Sequence, residues 1–248
     1  LSPPALPTGN QSSTAVIDKD HYTRMNTFNT IIKNALIYDG SGKKTSSGDL
    51  AINDQKIAAL GNLEHTQAHT VLDAQGLALA PGFINMLSWA SESLIADGRS
   101  QSDLRQGVTL EVMGEGFSYG PLNDAMRQEI LSQQADFHYE LPWKTLEEYL
   151  EHLVGRGVSC NVTSFVGTGT LRDYVMGKTN RPATPQEMIV MQSLAREALQ
   201  AGAAGVASAL AYVPDSFNCT AELVSLAQVA AEYDRLYIAH MRGEGDRL

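Results

Sequence analysis

The side chains in this 248-residue chain whose types and spacing suit chemistry gather just after apolar runs. Glu115 follows "VTLEVMG", Arg172 lies in "VGTGTLRD", Tyr212 follows "VASALA", and His240, Arg242 and Glu244 sit in "YIAHMRGEGD". A carboxylate and an imidazole suit a zinc ion, and guanidinium groups suit a substrate carboxylate. Asn85, Ser88 and Trp89 follow another such run, "LALAPGFI". Plainer readings stand beside these. A lone histidine is often a hydrogen-bonded core residue, and Glu115 between two glycines reads by default as part of a turn. "GTGTLR" offers backbone amides to an anion, but two glycines in a loop specify little.

The remaining candidates read as structural. His65 and His69 stand four apart in a polar connection, "NLEHTQAHT", and "DFHYE" at 136 to 140 is similar. His152 falls on the amphipathic stretch "TLEEYLEHLVGR", on its solvated side. Cys160 and Cys219 are the only cysteines, too few for a disulfide framework and in no zinc-binding spacing.

The elements that must position these groups follow from the pattern. From Phe28 to Ala80 short strands alternate with turns, and Asn53-Asp54 and Ala74-Gln75-Gly76 read as hairpin signals. This predicts a small β subdomain over 28–80. After Pro81, strand-like runs near 82–87, 108–113, 161–166, 204–210 and 236–240 alternate with helical ones. Thr184, Pro185, Glu187 and Gly202 mark the start and stop of one helix, and a second begins at Thr220. Such alternation predicts a parallel sheet with crossover helices, either doubly wound or the first five strands of a (β/α)8 barrel. Functional groups gather at the carboxyl ends of the strands in both.

Composition sets limits. At 43% hydrophobic and 19% charged the chain reads as globular. A formal net charge of −10 argues against nucleic acid as a partner. No apolar run reaches the ~20 residues that span a bilayer. Residues 1–27, rich in Pro, Ser and Thr, read as a leader or as the remnant of signal cleavage, which leaves the cytoplasm and export to the periplasm both open.

In this order and spacing, "NTIIKNALIYDGSGKK", "LAPGFIN", "RQGVTLEVMGEGFSYGPL", "TGTLRDYVMG", "AGVASALAYVPD" and "YIAHMRGEGD" resemble the N-acyl-D-amino-acid deacylases (D-aminoacylases) of the amidohydrolase superfamily. The resemblance runs from about Phe28 to Leu248. It implies a metal-dependent (β/α)8 TIM barrel beside a small β-sandwich, with 28–80 the first part of the sandwich and 81–248 the first five βα units of the barrel. It also implies hydrolysis of N-acyl-D-amino acids by zinc-activated water. Three further barrel strands would come from the remainder of the polypeptide or from a second chain.

Departures from the family pattern shape the expected site. Where the family continues Pro-Gly-Phe-Ile into an acidic residue and a His-x-His pair, this chain has Asn85, Leu87 and Trp89, so one metal position is expected to be absent. Anchored on Gly116-Phe117-Ser118, Glu115 falls opposite the family's metal-binding cysteine; anchored upstream, Gly116 does. His240 matches the family's metal histidine at the end of strand five. Thr168 stands where histidine is frequent. The resemblance therefore implies one zinc ion on Glu115 and His240, which are also the catalytic candidates. Trp89, Arg172, Tyr212 and Arg242 are expected to bind substrate: Trp89 and Tyr212 as pocket walls, Arg172 as a carboxylate reader or a loop brace. An aspartate beyond Leu248 would carry the proton. Two rivals stand: a catalytically silent relative that binds a ligand without metal, and a five-stranded phosphate- or nucleotide-binding domain built on "GTGTLR".

Overall fold

The computed structural model describes residues 27–134 and 137–245. They fall into two compact units divided between Pro81 and Gly82.

The first unit is one five-stranded sheet. Its strands are β1 (Phe28–Ile37), β2 (Ser46–Asn53), β3 (Lys56–Gly61), β4 (Ala68–Asp73) and β5 (Ala78–Leu79), in the order β3-β2-β1-β4 with β5 also on β1. The Asn53-Asp54 signal makes the expected hairpin: β2 and β3 pair antiparallel up to Asn53 opposite Lys56, with Asp54 at φ 52°. The Ala74–Gly76 signal does not make one. β4 and β5 both run parallel to β1, so the chain turns briefly and resumes in the same direction. The turn matches a register shift in β1 between Ile32 and Ala35, where Asn34 has φ 57° and its carbonyl accepts from Gly76 N–H at 2.7 Å. Alternation along β1 and β2 puts Phe28, Ile31 and Ala51 into this unit's core.

The second unit runs β6 (Phe83–Asn85), α1 (Ser93–Ala96), α2 (Gln101–Leu104), β7 (Val108–Met113), α3 (Asp124–Gln133), α4 (Leu146–Arg156), β8 (Asn161–Ser164), β9 (Val166–Gly167), α5 (Thr168–Met176), α6 (Pro185–Gln200), β10 (Gly205–Ala209), α7 (Thr220–Glu232) and β11 (Leu236–His240). All strand pairs are parallel, β6-β7-β8 and β9-β10-β11. The predicted third strand is thus broken at Phe165. Phe165 N–H still donates to Met113 O at 2.8 Å and Ser164 O accepts from Ala204 N–H at 2.9 Å, so the backbone keeps partners on both sides. Spatial order follows chain order throughout. That is the winding of a barrel; a doubly wound sheet reverses its order at a switch point.

Helix positions follow from the caps. Thr184 accepts from Glu187 N–H while the Glu187 carboxylate accepts from Thr184 N–H, Pro185 takes the first turn, and Gly202 at φ 100° follows the end of α6. Met191, Ala195, Ala198 and Leu199 then share the buried face of α6, and burial of each large side chain contributes about 1.5–3 kcal/mol. They meet Leu226, Val229 and Ala230 of α7 and Val206 of β10 in the main core. On α4 the expected placement of His152 needs correction: it is half-buried and stacks on Trp143 with ring centroids 4.8 Å apart. Every residue of β10 is buried, whereas Phe83 on β6 and Leu236 on β11 are 58% and 59% exposed.

Candidate functional site

Strand β7 delivers Glu115 through a turn that no other sequence fits easily. Gly114 and Gly116 have φ of 93° and 69°, and a Cβ on Gly116 would lie 2.3 Å from the Cβ of Ala209. The two glycines make the turn that carries the carboxylate between them. The side chain of Glu115 is only 13% exposed, with Oε1 3.5 Å from Nδ1 of His240 at the end of β11. On the opposite side of the ring, Nε2 lies 3.7 Å from Glu244 Oε1. The Tyr212 ring meets the imidazole edge-on at 5.5 Å. Glu115, His240 and Tyr212, drawn from three strand ends, therefore come together.

The other expected site residues are placed differently. Trp89 is 68% exposed and lies outside the lining of the cavity beside His240. Arg172 is fully buried among protein acceptors, a placement that suits a loop brace. It donates to Asn218 Oδ1 and Thr179 O at 3.0 Å each and to Arg181 O, and it pairs with Glu222 at 3.5 Å. Arg242 spends its donors similarly, on the carbonyls of Ser216 and Asn218 at 2.5 and 2.9 Å.

"GTGTLR" opens α5, and several of its polar groups are already engaged. Thr170 N–H donates to Gly116 O at 3.2 Å, Gly167 N–H to Ser118 Oγ at 3.1 Å, and Ser118 N–H to Thr170 Oγ1 at 2.7 Å. Gly116 O packs closely on this loop: a Cβ on Gly167 would lie 2.2 Å from it. The nucleotide-binding alternative loses its cradle.

Three buried acids escaped the sequence reading: Asp215, Glu111 and Glu222, the last beside Arg172. Asp215, in "YVPD" after β10, accepts from the Thr168 hydroxyl, from Ala209 N–H, and from Asn218 Nδ2 at 2.5 Å. Burial pushes its carboxyl above the usual range, and those hydrogen bonds partly offset the rise. Glu111 is fully buried within β7 and accepts from the hydroxyls of Ser88 and Ser100 at 2.7 Å each. A charged residue inside "TLEVM" was the available signal.

Beside the cluster lies a half-open cavity of about 400 Å³. Gly116, Ala209 and Tyr212 form its wall toward His240, and Phe117, Tyr119 and Met126 are among the apolar residues lining it.

Parallel strands in chain order, with a carboxylate and an imidazole meeting at their carboxyl ends, define a protein of the amidohydrolase fold. The comparisons with known proteins agree. The chain is 36% identical to N-acyl-D-aspartate deacylase of Alcaligenes xylosoxydans xylosoxydans over 225 residues, 88% of this chain and 44% of that protein. It superimposes on N-acyl-D-glutamate deacylase of Bordetella bronchiseptica, solved with zinc and a phosphonate inhibitor, with a TM-score of 0.77 at 30% identity, covering 89% of this chain and 46% of the other. A D-aminoacylase structure described by its binuclear metal centre matches with a TM-score of 0.79 at 29% identity, covering 88% and 46%. No family model matches. The chain is a homologue of the N-acyl-D-amino-acid deacylases of the amidohydrolase superfamily, and spans somewhat less than half the length of these relatives.

Proposed function

We propose that this protein is a zinc-dependent hydrolase of linear amides that deacylates N-acyl-D-amino acids, with Glu115 and His240 as metal ligands. The observation that carries the reading is the Glu115–His240 spacing of 3.5 Å. Two donors on one tetrahedral zinc, each at ~2.0–2.2 Å, stand about 3.4 Å apart, so the pair fits two corners of such a site. The same distance is long for a hydrogen bond.

When bound, zinc would supply Lewis acidity that lowers the pKa of water and polarises the amide carbonyl. The chain's own residues would hold and shape the site. Glu115 is fixed by its flanking glycines, and Tyr212 covers one edge of the imidazole and borders the cavity where substrate would lie. No third His, Cys, Asp or Glu joins the pair to form a metal-binding group among the described residues. Glu244 faces the wrong nitrogen for that. The remaining ligands and the proton carrier would come from the rest of the barrel, in the same polypeptide or a second chain. One ion per protein is our reading, because Leu87 and Trp89 offer no donor where the family pattern has its His-x-His pair. A small N-acyl amino acid is the proposed partner; the net charge of −10 speaks against nucleic acid, and no helix among the described residues is long and apolar enough to cross a membrane.

The complete gene product, loaded with zinc, should release the free amino acid from N-acetyl-D-amino acids, and a chelator should abolish the reaction. A protein that binds no zinc and turns over no linear amide would instead identify the silent relative.

A further inference from the structure

The cavity beside His240 has a lining rich in acidic residues. Its lining includes Glu92, Glu129, Asp173 and Asp215 and one cation, Lys178, which is ion-paired with Glu129; the Asp215 carboxylate is itself taken up by Thr168, Ala209 and Asn218. The apolar lining of Phe117, Tyr119, Met126 and Ile130 accompanies these groups. Gly116 follows Glu115 in sequence, Ala209 sits opposite His240 in register, and Tyr212 touches the imidazole, so the cavity lies behind residues that neighbour the proposed metal pair, although Glu115 and His240 do not themselves line it.

We infer that this cavity is the side-chain pocket of the substrate and selects a D-amino acid whose aliphatic stem ends in a cation, while rejecting acidic side chains. This rests on the deacylase reading above. Apolar walls suit the stem, and the carboxylates suit an ammonium or guanidinium head. Burial raises the carboxyls of Asp173 and Asp215, a penalty that a cationic guest relieves. A carboxylate guest would meet like charge with no unpaired cation from the lining to offset it.

The test compares N-acetyl-D-lysine, N-acetyl-D-norleucine and N-acetyl-D-aspartate on the zinc-loaded, complete gene product. The lysine compound should exceed the aspartate compound in kcat/KM by at least about tenfold, with norleucine between them. Asp173→Asn should lower the value for lysine and so narrow the lysine-to-norleucine ratio, and an unchanged ratio would overturn the assignment. Aspartate equal to or better than lysine, or lysine no better than norleucine, would overturn the assignment. If none is hydrolysed, the deacylase reading fails. Calorimetric binding of the same three compounds still judges the pocket: tightest binding of the lysine compound supports it, and equal binding or none overturns it.

Discussion

Glu115 and His240, on strands separated by most of the second unit's sequence, meet with Oε1 and Nδ1 3.5 Å apart, while Glu244 occupies the other face of the same imidazole. A histidine held between two carboxylates has one nitrogen for a metal and one for an orienting acceptor. The less exposed carboxylate, Glu115, is the one on the Nδ1 side.

The turn that presents Glu115 should tolerate no side chain at position 116. Gly116→Ala would place a methyl group 2.3 Å from Ala209 Cβ in a backbone conformation that L-residues rarely adopt. It should destabilise the fold by about 2 kcal/mol or more, read from the denaturation midpoint, and lower zinc affinity with it.

Arg172 should matter for stability and not for substrate affinity. Arg172→Met removes a buried cation and leaves Glu222 without its ion-pair partner, which should destabilise by about 3–5 kcal/mol. In the fraction that remains folded, KM should stay near that of the parent. A large rise in KM with little loss of stability would return Arg172 to the substrate site.

Much of this architecture was legible in sequence because its signals are local. Thr184, Pro185 and Glu187 mark the start of α6 within four consecutive residues, and the structure shows the cap they imply. The five strand regions were visible as apolar runs. What escaped depends on distant partners. The break at Phe165 leaves the apolar run intact and shows only in the change from β7 to β10 as pairing partner. Arg172 stayed open between carboxylate reader and loop brace because Arg181, Asn218 and Glu222, which accept from it, lie far along the chain or offer only a carbonyl. Asp215 was one acid in a loop until Thr168, Ala209 and Asn218 converged on it.

Acid stability should depend in part on the α6 cap. Hydrogen bonding by Arg181, then by the Thr184 backbone, holds the Glu187 carboxyl at about 2, below its ordinary 4.5. A depressed carboxylate stabilises the fold above its unfolded pKa, and that contribution is lost as pH falls from about 4.5 through about 2. Glu187→Gln should flatten the acid limb of the stability curve in this window, modestly and less so in high salt, because the group is exposed. An unchanged limb would show that the cap does not couple to unfolding.

The central claim is that Glu115 and His240 share one zinc ion, and zinc content measured with turnover on the same Glu115→Gln samples tests it most directly. A neutral amide is a far poorer ligand than a carboxylate, so the account predicts that bound zinc and hydrolysis of an N-acetyl-D-amino acid fall together, with Glu115→Cys restoring part of both. Parental zinc content and parental rate in Glu115→Gln would contradict it.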